Sequence, residues 1–268
     1  MTDRRRAVAA RDRPPWVLVP LALVAIAFVA VPFVALLQRT PWSDLGELLG
    51  RPLVTDALRL SLTSAFSATL LSLLLGVPLA WVLARGHFRG RSLLRAIVTL
   101  PMVLPPVVGG AALLYAFGRR GLVGGPVYDA TGLLLPFSTW GVIVANTFVA
   151  LPFLVITVEA GLRSADRRYE DAAATLGADR WTIMRRVTLP MLAPSILAGA
   201  LLAWARALGE FGATVTFAGN LQGRTQTMPL AVFVARESDR GAAIALSLVL
   251  IAVSLAVLVP LRDRWLGV

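Results

Sequence analysis

Residues able to do chemistry are few in this chain of 268. Cysteine is absent, which excludes disulfide frameworks, thiolate metal sites, iron–sulfur clusters and cysteine nucleophiles. All 26 basic residues are arginine, so there is no lysine for a Schiff base or for the phosphate contact of a P-loop. His87 is the single histidine and stands in a short basic stretch, where a solvated loop residue is expected. No His-Glu-x-x-His pattern, nucleophile elbow or carboxylate pair shares an apolar segment. What remains is one ionisable pair inside an apolar stretch, Arg206 and Glu210, spaced to meet on one helical face although Gly209 loosens that geometry.

The elements that must hold this pair are membrane helices. Apolar residues make up 57% of the chain and charged ones 15%, against about 25% charged in a soluble domain. The net charge of +11 comes from arginines spread between apolar segments, a pattern of membrane topology rather than of nucleic-acid binding. Six windows reach the roughly 20 apolar residues a span requires: Trp16–Leu37, Leu60–Ala84, Ala96–Phe117, Pro136–Val158, Met191–Ala218 and Gly241–Leu261. The first follows a basic tail, Met1–Arg13. It exceeds a signal-peptide core and lacks a cleavage site, and Arg4–Arg6 does not alter its reading as an uncleaved anchor. This gives a tail over residues 1–15 and a membrane domain over 16–268.

Arginine placement orients the spans. With the N-terminus in the cytoplasm, 17 arginines fall inside and 8 outside, Arg206 lying within a span. The bias favours six spans with both termini cytoplasmic. Pro101, Pro105 and Pro106 are expected to interrupt the third span, Gly76–Pro78 the second and Pro152 the fourth. Freed carbonyls in lipid need neighbouring protein or water, so these helices are expected inside the bundle or along a path. Asn146 and Thr147 are expected to hydrogen-bond between helices. Pro229–Ser238 reads as a short amphipathic helix on the outer face.

Arg206 lies about 22 Å along its span, counted from Met191 at 1.5 Å per residue. An arginine at mid-bilayer costs about 2.5–3.5 kcal/mol even on a lenient scale, so it must face protein or water. Two roles stay open: a structural ion pair, or a weak positive site on an anion's path.

The long cytoplasmic loop begins at Glu159, reaches Arg186 and enters the membrane by Pro190. Ser164 or Asp166 can cap a helix through Tyr169–Leu176, and Gly177 suits its end. Asp179 can cap a second helix from Arg180, with Trp181, Ile183, Met184 and Val187 as apolar members, after which Leu189–Pro190 is expected to turn the chain into the membrane. An exposed elbow rich in Ala and Gly suits docking better than catalysis.

Asp171-Ala172-Ala173, Gly177 and Val187-x-Leu189-Pro190, with Glu170 beside Asp171, stand at the spacing of the Glu-Ala-Ala loop of permease subunits of binding-protein-dependent ABC importers. Asp171 stands where Glu is usual and Val187 where Ile is usual. The likeness runs from the second span to the sixth. Arg206-Ala-Leu-Gly-Glu-Phe-Gly-Ala-Thr214 and the stretch Ala218–Leu230 resemble the molybdate branch of the oxyanion permeases more than the sulfate and thiosulfate branch.

The resemblance implies an all-α, type I importer permease of about six spans in a bacterial plasma (inner) membrane. It implies a homodimer served by two copies of an ATPase subunit and by a periplasmic-type binding protein. Residues 159–190 would be the coupling loop seated in the ATPase. ATP and magnesium would be used by that partner, this chain binding no cofactor or nucleic acid of its own. A secondary transporter is disfavoured by few intramembrane acids and no evident inverted repeat, and a membrane enzyme by the missing nucleophile–base set.

Overall fold

The computed structural model describes residues 16–265, with side chains described as far as residue 257. The basic tail Met1–Arg13, read as cytoplasmic, lies outside the described residues, as do the side chains of Arg262 and Arg264. Every regular element among the described residues is helical. The chain divides into two units, Met1–Gly46 and Glu47–Val268.

The first unit contains α1 (Leu18–Gln38), an apolar helix with no buried residue. Pro32 does not break it. Its uniform exposure is what a lipid-facing helix requires.

A short helix, α2 (Leu45–Gly50), begins at the end of the first unit and leads into α3 (Pro52–Arg85) of the second, which is long enough to cross a bilayer with turns to spare. The third span is two helices, α4 (Arg91–Val103) and α5 (Pro106–Phe117), bent by 118°. The break follows from adjacent prolines. Leu104 precedes Pro105, which precedes Pro106, and both Leu104 and Pro105 adopt extended ψ values, as residues before proline do. A short helix α6 (Gly124–Thr131) leads to α7 (Thr139–Ser164), started by Ser138, whose hydroxyl accepts from the Gly141 N–H.

Pro101 lies inside α4 without breaking it, and two further expected interruptions do not occur. α3 runs through Gly76–Pro78 and α7 through Pro152 without a break. An isolated proline within a well-packed membrane helix is accommodated by its neighbours, whereas two in succession are not.

After α8 (Arg168–Thr175) and α9 (Arg180–Ile183), a π turn at Met184–Thr188 passes directly into α10 (Leu189–Leu208). Leu189–Pro190 therefore makes no turn, contrary to expectation. The wider π turn gives room for the proline ring beside the preceding carbonyls, and the rod continues. The fifth apolar window is not one helix to Ala218 either. α10 ends at Leu208, and α11 (Gly212–Phe217) is a separate piece. α12 (Met228–Ser238) and α13 (Arg240–Trp265) complete the chain.

α7 is the centre of the bundle. Ala150, Leu154, Val155, Val158 and Leu162 pack against Ala65, Ala68, Ala80 and Leu83 of α3 and against Leu192, Ala203, Ala207 and Leu208 of α10. Alternation of Ala with Leu brings the backbones close, as membrane helix pairs require. Towards the other end, Ala145 and Val149 of α7 meet Leu113 of α5 and Ala213 and Phe217 of α11.

Candidate functional site

One end of the bundle carries the elbow. α8 stops in a Schellman turn: the Gly177 N–H donates to the Ala174 carbonyl at 3.0 Å, and the Ala178 N–H to that of Ala173 at 3.1 Å. Gly177 has φ +83°, a conformation costing a residue with a Cβ about 1–2 kcal/mol. Asp179 then caps α9, its Oδ1 accepting from the Thr182 N–H at 3.2 Å. Hydrogen bonds from Thr182, side chain first and backbone second, hold the Asp179 carboxyl below its usual range. Neither of the two expected caps is the N-cap of α8, which is Arg167; Asp166, one residue earlier, accepts from the Arg168 N–H in a local turn. The Ser164 hydroxyl donates back to Gly161.

The elbow presents a knob of large apolar groups. Leu176 is 88% exposed, Trp181 64%, and Tyr169 stands out beside them. Ala172 and Gly177 are also exposed. Ile183, Met184 and Val187 are half-buried as expected, whereas Trp181 points outward. Such a patch on an otherwise polar turn marks an interaction surface. His87 is exposed in the loop after α3 at this same end.

Buried charge joins the elbow to the bundle. Glu170 accepts from Arg85 at 3.1 Å and from the Thr188 hydroxyl at 2.9 Å. Glu159, buried, takes Arg95 at 2.5 Å and Arg163 at 2.7 Å. Arg91 donates to the carbonyls of Ala84 and Gly86 at the end of α3, where a cation offsets the helix dipole. The Arg163 partner could have been read from its i,i+4 spacing; those from α3 and α4 carry no local signal.

Towards the opposite end, Arg206 and Glu210 do meet, Nη1 to Oε2 at 2.5 Å. The Arg206 side chain is 28% exposed and that of Glu210 1%. The helix has already ended between them. Glu210 also serves α11, its Oε1 accepting the Ala213 N–H at 2.7 Å and so satisfying a donor at the start of that helix. α11 lies very close to α5. A Cβ on Gly110 would stand 2.6 Å from that of Thr216 and 2.8 Å from the Ala213 carbonyl oxygen.

Asn146 binds this region together, donating to Ser64 at 3.2 Å and accepting from Thr214 at 3.4 Å. The interhelical role expected for Asn146 is therefore observed. Thr147 differs, its hydroxyl donating to its own helix at Ile143. Ser61, not singled out in the sequence, accepts the Met228 N–H at 2.7 Å and so pins the start of α12 to α3. Arg51 bridges Glu47 at 3.0 Å and Asp239 at 2.8 Å. The Ala242 N–H and then Arg51 hold the Asp239 carboxyl below its usual range.

Residues 76–267 match the family described as binding-protein-dependent transport system inner membrane component. The chain belongs to that family. This inner membrane component is 50% identical over 253 residues to the molybdenum transport system permease protein ModB of Mycobacterium tuberculosis, covering 94% of this chain and 95% of that one. It is 41% identical over 212 residues to ModB of Escherichia coli, covering 79% and 93%. The sulfate transport system permease protein CysT of E. coli is 39% identical over 224 residues, covering 83% and 80%.

The fold of the component is that of a crystal structure of a bacterial ABC transporter involved in import of the acidic polysaccharide alginate, with TM-score 0.72, 20% identity and 98% of both chains covered. The MetNI methionine ABC transporter in inward-facing form gives TM-score 0.60 at 16% identity, covering 80% of this chain and 94% of that one.

Proposed function

We propose that this permease component forms the translocation path of an ATP-driven importer for molybdate. The observation that carries the substrate is the 50% identity to molybdenum permeases over nearly the whole of both chains; the sulfate permeases match over less of their length. Two copies of the permease would pair with two ATPase subunits, and a periplasmic-type binding protein would deliver the anion. ATP and magnesium would act in the ATPase alone, in keeping with the absence of lysine for a P-loop here.

In this reading Glu170, Asp171, Ala172, Ala173, Gly177, Val187, Leu189 and Pro190 frame the coupling elbow, whose exposed Leu176 and Trp181 enter a cleft of the ATPase. Arg206 either lines the path or forms a purely structural pair with Glu210, and both roles stay open. In proteoliposomes with the cognate ATPase and binding protein, molybdate at low concentration drives uptake and sulfate competes poorly. Equal competition by sulfate would move the assignment to the sulfate branch.

The elbow end faces the cytoplasm in this proposal, supported by the arginines gathered there. The natural chain lacks cysteine, so single cysteines report topology directly. An impermeant thiol reagent on intact cells should label Gly125→Cys and leave Ala165→Cys untouched until the membrane is opened. A Cβ at Gly125 makes only ordinary contacts. Labelling of Ala165→Cys in intact cells would reverse the orientation.

A further inference from the structure

Docking on the ATPase does not account for Glu170. Its side chain, 20% exposed, turns inward from the knob formed by Tyr169, Leu176 and Trp181. One oxygen, Oε1, accepts from both Arg85 Nη2 and Thr188 Oγ1. Arg85 is the last residue of α3, and Thr188 is the buried last residue of the π turn. A single carboxylate therefore joins the elbow helix to the ends of two spans that pack in the main core.

The π turn matters to this arrangement. It is the one place in the rod from Arg180 to Leu208 where the hydrogen-bond ladder is out of α register, and such π turns are frequent at functional sites. Thr188 also lies 3.5 Å from the Ile183 carbonyl within that turn. The group gripped by Glu170 is thus part of the π turn itself. Arg85 is 14% exposed, so removal of its carboxylate leaves a largely buried cation without its partner, a larger perturbation than loss of a surface pair.

We propose that Glu170 is a positioning residue that carries displacement of the elbow into α3 through Arg85 and into α10 through Thr188. This rests on the reading of the elbow as the ATPase-docking segment and adds the route by which motion leaves it. Asp171, the next residue, is exposed and belongs to the docking surface instead.

The test is the number of ATP molecules hydrolysed per molybdate imported by the complete complex in proteoliposomes. Glu170→Gln keeps an acceptor for Thr188 and removes the charge that holds Arg85. It should raise that ratio at least about fivefold, the lower range of coupling energies between sites, while the ATPase copurifies as before. Arg85→Lys, which keeps a cation for Glu170 and leaves Thr188 its acceptor, should hold the ratio near that of the unaltered complex. Should Glu170→Gln fail to insert, Arg85→Gln probes the same pair by the same ratio. An unchanged ratio, with uptake and hydrolysis falling together, would overturn the proposal. Leu176→Asp separates the underlying reading: it should abolish ATPase copurification, and retained ATPase would overturn both the docking role of the elbow and the transmission built on it.

Discussion

Gly177→Trp is expected to abolish molybdate uptake in a protein that still inserts and folds. The Schellman turn closing α8 holds Gly177 at φ +83°, so any residue with a Cβ incurs about 1–2 kcal/mol of strain there. A Cβ at this position meets nothing within 4 Å. The chain itself thus has no steric objection to a large side chain, and the fold should survive. An indole would project from the knob into the space a docked partner requires. Gly177→Ala carries the same strain without the bulk and should retain most of the uptake; Gly177→Asn, tolerant of the left-handed region, should behave at least as well as Ala. The measurement is uptake in proteoliposomes, normalised to inserted permease and accompanied by ATPase copurification. Normal uptake by Gly177→Trp would remove the elbow from coupling. Equal loss in Ala and Trp variants would assign the effect to backbone strain rather than to occlusion of a docking surface.

The elbow was legible because its signals are local. A glycine after an amphipathic run and Asp179 two residues later specify a cap, a stop and a restart with no knowledge of the rest of the chain. The spans were legible as windows of composition, but their interiors were not. Pro78, Pro152 and the pair Pro105–Pro106 differ in outcome because packing repairs one missing hydrogen bond and not two consecutive restrictions of the backbone. The end of α10 at Leu208 escaped a reading based on hydrophobicity, since Phe211–Ala218 is as apolar as the helix before it. Gly209, next after Leu208, is the local sign of the break. Contacts such as Arg85 with Glu170 or Asn146 with Ser64 join residues more than 80 positions apart. They depend on which helix faces are neighbours, which the periodicity of an almost wholly apolar helix does not encode. α3, α7 and α10 have shallow polar faces, so small residues and single hydroxyls fix their register instead.

Neutral substitutions at Arg206 and Glu210 separate the two roles open to Arg206. Exchange of the two charges, Arg206→Glu with Glu210→Arg, is a natural test of an ion pair, but the structure makes it ambiguous. Glu210 also accepts the buried Ala213 N–H. An arginine there offers no acceptor, and the orphaned donor would cost about 1–3 kcal/mol whatever Arg206 does. Neutral isosteres avoid this. Glu210→Gln keeps an oxygen for Ala213 and leaves Arg206 charged, whereas Arg206→Gln removes the cation and leaves Glu210 capping α11. If the pair is structural, both variants fall in stability and their uptake falls only in proportion to folded protein. If Arg206 serves the anion, Arg206→Gln folds yet imports molybdate at least about tenfold more slowly, a loss of about 1.4 kcal/mol in transition-state stabilisation. Glu210→Gln then keeps substantial uptake, because the guanidinium, 28% exposed, stays on the path and loses a competitor for the anion. Competition also orders the salt response: with Glu210 neutralised, added inert anions should inhibit more strongly than in the unaltered protein. Near-normal uptake by a well-folded Arg206→Gln protein would take Arg206 off the path and leave the pair as the clasp between α10 and α11.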